Sequence, residues 1–352
     1  MGLDLWGDVA ELTAAIVDIE SVSGHEQALA EAVEEALRPL PHLTVERDGD
    51  TVIARTALGR AERVVIAGHL DTVPVNDNLP SRVEGDRLYG CGTTDMKSGV
   101  AVMLKLAATV PEPTRDVTYL FYECEEVEAV RNGLLRLAEA RPELLHGDFA
   151  VLMEPTHAVI EGGCQGTLRV EVTAPGERAH SARAWMGSNA IHKAGEILDV
   201  LRAYEPRKPV VDGLEYHEGL NAVFVRGGVA GNVIPDECVV TVNHRFAPDK
   251  SLAEAESYLR GLFAGFEVTV VDASDAARPG LTHPAAEAFV AAVGGTPRAK
   301  LGWTDVARFS ALGVPAVNYG PGDPPLAHTK DEYVEIPRIH ECEERLRAWL
   351  TE

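Results

Sequence analysis

Val64-Val65-Ile66-Ala67-Gly68-His69-Leu70-Asp71 decides the architecture. An unbroken apolar run, with no polar residue at alternate positions, predicts a strand buried on both faces of a sheet. A histidine and an aspartate follow it at once. In an open α/β sheet the chemistry gathers beyond the carboxyl ends of the strands, so this junction predicts both a sheet and a site on it. His69 and Asp71 are two residues apart, and extended backbone turns both side chains the same way. Asp71 is then placed to accept the free imidazole N–H of His69, fixing its tautomer and leaving the other ring nitrogen for a metal.

Working outward, further short apolar stretches lie at 51–54, 117–122, 149–153 and 315–319. Between them run helical periodicities. One spans 8–19 with Leu12, Ile16 and Ile19 on one face, and another spans 25–37, ending before Pro39. Met96, Val100, Met103, Leu104 and Ala107 form a third, and Val127, Val130, Leu134 and Leu137 a fourth. Strands alternating with helices predict an α/β domain. Near Gly166 the texture changes: Leu168, Val170 and Val172 alternate with Arg169, Glu171 and Thr173, the pattern of a half-exposed antiparallel strand. Further strands are expected at 239–246 and 266–271, with helices at 190–201 and 252–263. Residues 165–278 therefore form a second, α+β domain inserted into an α/β domain built from 1–164 and 279–352.

Composition narrows the function. A chain of 352 residues has room for two domains. Its formal net charge of −23 excludes nonspecific nucleic-acid binding and docking on an anionic membrane. A small anionic substrate is still compatible, because metal ions and arginines dominate the potential inside a pocket. The five cysteines, Cys91, Cys124, Cys164, Cys238 and Cys342, form no CxxC pair, which fits a reducing compartment. With no basic, apolar leader and no membrane-length apolar run, a cytoplasmic protein is expected.

Four more segments place a histidine or carboxylate at or beside an apolar stretch: Thr94-Asp95-Met96-Lys97, Cys124-Glu125-Glu126, Met153-Glu154-Pro155 and Ala327-His328-Thr329. Divalent metals need several N and O ligands converging from different elements, and a second metal nearby needs a bridging carboxylate. Asp95 stands at the start of the third helical segment, where it can cap the helix, bridge two metals, or both. Glu125 and Glu126 are neighbours, so extended backbone turns them apart and gives them different tasks. One ligates metal while the other handles protons.

Together these segments resemble the M20 family of co-catalytic metallohydrolases, over essentially the whole chain. Gly68-His69-Leu70-Asp71-Thr72-Val73-Pro74 is similar to the family's first metal motif, and Gly90-Cys91-Gly92-Thr93-Thr94-Asp95-Met96-Lys97 to its second. The resemblance implies a zinc-exopeptidase-like catalytic domain with a mixed central sheet, and a ferredoxin-like lid that forms a homodimer. It implies two zinc ions, with cobalt as a substitute: one held by His69, Asp95 and Glu154, the other by Asp95, Glu126 and His328. Glu125 would be the general base, with Asp71 supporting His69. His180, in Ala179-His180-Ser181-Ala182, would reach the partner's active site and stabilise the oxyanion. Asn232 resembles a substrate-contacting lid residue, and Arg245 a carboxylate-binding one.

Arg178-Ala179-His180-Ser181-Ala182-Arg183 and Gly302-Trp303-Thr304-Asp305-Val306-Ala307-Arg308-Phe309 are most similar to the branch that cleaves N-succinyl-LL-2,6-diaminopimelate. The implied products are succinate and LL-2,6-diaminopimelate, in lysine and cell-wall precursor synthesis. Arg178, Arg183, Asn232, Arg245, Thr304, Arg308 and Gly320 are the substrate-binding candidates, since guanidinium forks suit a small substrate with several carboxylates. Competing readings are deacetylation of N-acetylornithine or a related acyl amino acid, dipeptide cleavage, and a metal-free binding protein on the same scaffold. The sequence departs from the family pattern at Cys91, Cys124 and Ser98, none a ligand position.

Overall fold

Eight strands make one sheet in the computed structural model, which describes residues 2–352. In chain order they are β1 (Thr44–Asp48), β2 (Thr51–Arg55), β3 (Arg63–His69), β4 (Asp116–Tyr122), β5 (Phe149–Leu152), β6 (Glu161–Gly162), β7 (Arg298–Ala299) and β8 (Ala316–Asn318). Their spatial order is β1-β2-β4-β3-β5-β8-β6-β7. The centre is parallel, β4 with β3, β3 with β5, and β5 with β8, whereas β1, β2 and β6 run antiparallel to their neighbours. The apolar runs of the parallel strands are buried throughout, as unbroken runs require.

Helices cover the sheet. They are α1 (Val9–Val17), α2 (Gln27–Leu37), α3 (Ser98–Thr109), α4 (Gly133–Ala140), α5 (Pro284–Val293), α6 (Val306–Ala311) and α7 (Ile336–Thr351). Alternate strand residues (Val64, Ile66, Val117, Tyr119, Phe121, Phe149 and Val151) share one core with α1, α2, α3, α5 and α7. Trp349 meets Phe149 and Phe289 edge-on, and the two phenylalanines meet at a 45° tilt, tying the last helix to the sheet centre. This face carries most of the unit's apolar burial, at roughly 25 cal/mol per Å² removed from water.

Register then positions the site. His69 pairs with Tyr122, Ala67 with Leu152, and Leu152 with Asn318, so β3, β4, β5 and β8 end at one edge. A separate three-stranded ribbon pairs Tyr333–Glu335 with Arg87–Tyr89, and the latter with Arg82–Glu84. No sequence signal announced it.

Two helical expectations change. Val127 to Leu137 is not one helix: Ala129–Arg131 is a short 3-10 turn, Val130 is 87 % exposed, and the Asn132 side chain caps α4 by accepting from Leu135 N–H. The polar cap outcompetes continued periodicity. Asp95 does not cap α3. It lies in the irregular turn Thr93–Lys97 with φ −123° and ψ 98°, and α3 starts after Lys97 without a side-chain cap.

Gly163–Arg278 together with Ala299–Trp303 forms the second unit. Its elements run βαββαβ: strands Gly166–Pro175, Gly219–Gly227, Glu237–Phe246 and Glu267–Ser274, with helices Ala190–Arg202 and Leu252–Leu262. Numbering these strands one to four, the antiparallel order is 2-3-1-4, the ferredoxin-like topology. Leu168, Val170, Val172, Val240 and Val242 face both helices in one core. Trp303 Nε1–H donates to the Asp275 carbonyl at 3.1 Å within this unit. Among the described residues no helix is long and apolar enough to cross a membrane.

The α3–β5 contact is tight. A Cβ on Gly99 would lie 2.5 Å from the Met153 carbonyl oxygen and 2.7 Å from its Cβ. Alanine would gain up to ~1 kcal/mol of helix propensity, against ~1–3 kcal/mol for overpacking. Gly99→Ala is therefore expected to lower the urea midpoint of unfolding, and an unchanged or raised midpoint would show that the contact has slack.

Candidate active site

Asp95 is the centre of the arrangement. One carboxylate oxygen, Oδ1, lies 3.2 Å from His69 Nε2, and the other, Oδ2, lies 3.5 Å from His328 Nε2. His328 Nε2 is also 2.7 Å from Glu126 Oε1. Ligand atoms of His69, Asp95 and Glu126 all fall within 4.8 Å of one another. Residues from the end of β3, the turn before α3, the corner after β4 and the loop after Pro324–Leu326 thus meet around one carboxylate. Glu154 follows β5, is buried, and stands close enough to Glu125 for its charge to act there.

The two neighbouring glutamates diverge, although the backbone there is a bend after Cys124 rather than the extended chain expected. Glu126 turns to His328, while Glu125 is acted on by its burial and then by the charge of Glu154. Their backbone is pinned by Asp71, whose Oδ1 accepts from Glu125 N–H and Oδ2 from Glu126 N–H, both at 3.0 Å. Ser23 Oγ donates to the same Oδ2 at 2.7 Å. His69 Nδ1 finds its nearest acceptor in the Asp71 main-chain carbonyl, at 3.0 Å, with the carboxylate at 3.5 Å. Asp71 therefore orients His69 largely through its backbone and spends its carboxylate on the glutamate corner. Cys124 adopts φ +58° at that corner, where its N–H and thiol both donate to buried Glu26, at 3.1 and 3.3 Å.

Electrostatics follow from crowding. Burial opposes charge on His69, yet hydrogen bonds to Asp71 and Asp95 raise its pKa well above the usual value. Hydrogen bonds to Asp95 and Glu126 push His328 up to about 10. Burial works against charge on Asp95 too, but both imidazoles hold it far below the ordinary carboxylate range. Glu125 goes the other way, raised well above normal by burial and then by Glu154. Glu126 is raised by burial and by Asp95. Two imidazoles between converging carboxylates form a nitrogen-and-oxygen donor set of the kind that holds a divalent cation, and a cation would relieve the repulsion among the acids. The residues fit a metal.

Glu332 was not legible from sequence. It is buried, and its carboxylate accepts three backbone N–H groups from the turn that carries Asp95: Gly92 at 3.1 Å, Thr94 at 2.8 Å and Asp95 at 3.2 Å. Only the adjacent ribbon delivers it there, and an acid four residues past a loop histidine carries no such signal.

The remaining candidates are scattered. Thr304 Oγ1 donates to Asn318 Oδ1 at 2.8 Å, and the Arg308 guanidinium engages Asp305. Gly320 N–H donates to Thr156 Oγ1 at 3.0 Å, and a Cβ there would strike the Met153 and Glu154 carbonyl oxygens at 2.3 and 2.6 Å. In the second unit, Ala179–His180 pairs with Val233–Ile234, and Ser181 N–H donates to the Asn232 carbonyl at 2.9 Å. His180 and Asn232, far apart in sequence, are thereby brought together and exposed. Arg178 grips Asp236 at 2.8 Å, Arg183 is exposed, and Arg245 is half-buried in its sheet.

The model of the Peptidase family M20/M25/M40 matches residues 65–352. A Mycobacterium tuberculosis protein named "Putative succinyl-diaminopimelate desuccinylase DapE" is 56 % identical over 99 % of both chains. A Corynebacterium glutamicum protein named succinyl-diaminopimelate desuccinylase is 48 % identical over 100 % of this chain and 98 % of its own. A Bacillus subtilis structure, described as a dinuclear metal-binding peptidase of the M20 family, has a TM-score of 0.69 over 97 % of this chain and 96 % of its own. At 17 % identity that likeness is one of fold. With the family match extending through all of the candidate ligand segments, the chain belongs to the M20/M25/M40 peptidase family of metal-dependent hydrolases.

Proposed function

We propose that the protein hydrolyses N-succinyl-LL-2,6-diaminopimelate to succinate and LL-2,6-diaminopimelate at a two-zinc centre. The observation that carries this reading is the Asp95 carboxylate with one oxygen turned to His69 and the other to His328. That is the stance of a carboxylate shared by two cations. One ion would be held by His69, Asp95 and Glu154, the other by Asp95, Glu126 and His328. When bound, the pair supplies Lewis acidity to the amide carbonyl and to a water molecule.

The chain's own residues do the rest. Glu125 takes the proton of the attacking water and returns it to the departing amine. Burial and Glu154 raise its proton affinity, and Asp71 holds its backbone in place. His180 Nδ1 accepts from Ala182 N–H at 3.1 Å, which leaves Nε2–H as an outward donor suited to a developing oxyanion. We assign it to the active site of a partner subunit, with the second unit serving as lid and dimer contact. In support, Gly219–Gly227 is an edge strand exposing Val223, Phe224 and Val225, which a second copy would cover. Arg183 and Arg245 are the preferred partners for the substrate carboxylates, since Arg178 and Arg308 already hold Asp236 and Asp305. Asn232, Thr304 and Gly320 complete the proposed substrate contacts.

Glu125→Ala is expected to load zinc like the parent and lose about 10²–10⁴-fold in kcat. A variant that kept most of its turnover would remove Glu125 from the reaction. Assayed side by side, N-succinyl-diaminopimelate should be cleaved far faster than N-acetylornithine, and the reverse order would move the protein to a deacetylase branch. Zinc loading should also release protons. His328, with its pKa pushed up to about 10, is protonated at pH 7 and must become neutral to ligate. Calorimetric titration in buffers of different ionisation enthalpy should report release of about one proton or more, with affinity rising as pH climbs toward that value. Binding without proton release would contradict the ligand set.

A further inference from the structure

The turn Thr93–Lys97 is spanned by one wide main-chain hydrogen bond, Lys97 N–H to the Gly92 carbonyl at 2.8 Å, which leaves the N–H groups of Gly92, Thr94 and Asp95 to find acceptors elsewhere. Gly92 sits at φ +80°, and Asp95 and Met96 depart from helical backbone angles. The Asp95 side chain contributes nothing to fixing that turn, because it faces the two imidazoles. Glu332, 2 % exposed, supplies those acceptors: the N–H groups of Gly92, Thr94 and Asp95 converge on its carboxylate. The same segment adds two more ties. Gly90 N–H donates to the Glu332 carbonyl at 3.1 Å, and Thr94 Oγ1–H donates to the Tyr333 carbonyl at 2.6 Å.

We infer that Glu332 is a positioning residue for the metal centre: its carboxylate sets the backbone of the Asp95 turn, and so the place of the bridging carboxylate, before any metal arrives. It touches no reacting atom, and its two oxygens are already occupied by backbone donors. Three N–H groups converging on one buried carboxyl group define the turn's position closely, because each would otherwise be a buried donor without that acceptor. Glu332 lies four positions after His328, so one short segment carries both a ligand and the clamp for its counterpart. The inference rests on Asp95 being a metal ligand.

Glu332→Gln tests it with nearly unchanged shape. The amide keeps one acceptor oxygen and turns an NH₂ toward N–H donors. In the full-length protein, zinc competition against a chromophoric chelator should show affinity reduced about 10–100-fold, the usual cost of losing a residue that orients a ligand. The kcat should fall while KM stays near the parent's. Asp95→Asn is the control. If it too kept zinc at parental affinity, the metal reading itself would fail. If it lost zinc while Glu332→Gln bound as the parent does, only the clamp would fail, whatever the thermal midpoint of the Gln variant. Should the Gln variant not fold, amide exchange on the parent decides. The Gly92, Thr94 and Asp95 amides are expected to remain protected after chelation, and exchange at open-chain rates would overturn the proposal.

Discussion

Everything at the sheet edge is organised by mutual repulsion among crowded acids. Asp95, Glu125 and Glu126, partly buried, and the buried Glu154 are brought together there, and the imidazoles of His69 and His328 reach in among them. Left to themselves such groups would take up protons or separate. The fold prevents separation by fixing backbone rather than side chains. Asp71 holds the Glu125-Glu126 corner, Glu26 holds Cys124 ahead of it, and Glu332 holds the turn of Asp95. Each clamp is a carboxylate accepting main-chain N–H groups, which leaves the candidate ligand side chains to point inward with uncompensated charge. A divalent cation is the partner that such a frustrated cluster favours.

The sheet makes this possible because its central strands stop together. Parallel pairing with His69 opposite Tyr122, and Leu152 opposite Asn318, means that one register error would carry a ligand to the wrong place and the wrong face. Burial of the strands on both sides makes such a slip costly. The core beneath, closed by Phe149, Phe289 and Trp349, is thus what aligns the chemistry above it.

Much of this was legible in the residues. Unbroken apolar runs ending in His69, Glu125-Glu126 and Glu154 identified the central strands, and polar alternation after Gly166 marked the antiparallel sheet. What stayed hidden depended on short-range polar competition or on distant pairing. Asn132 cut a helix that periodicity had drawn straight through it. Asp95, which suited a cap by sequence, sits instead in an irregular turn whose shape is imposed from residue 332. The three-stranded ribbon that delivers that clamp has only three residues in each strand, too few for alternation to register. The contact between the Arg308 guanidinium and Asp305 is likewise invisible in the motif.

The two-part chain path of the first unit bears on how the molecule comes to be made. Translation delivers β1 through β6 and then the contiguous βαββαβ unit, which can complete its own topology while the ribosome is still at work. The earlier strands must wait for β8 and for the closing helix Ile336–Thr351, whose Leu346, Trp349 and Leu350 are buried in their core. His328 and Glu332 belong to that last stretch. A nascent chain therefore lacks part of the candidate ligand cluster until this stretch has been made, and until then its apolar sheet face stays open to aggregation.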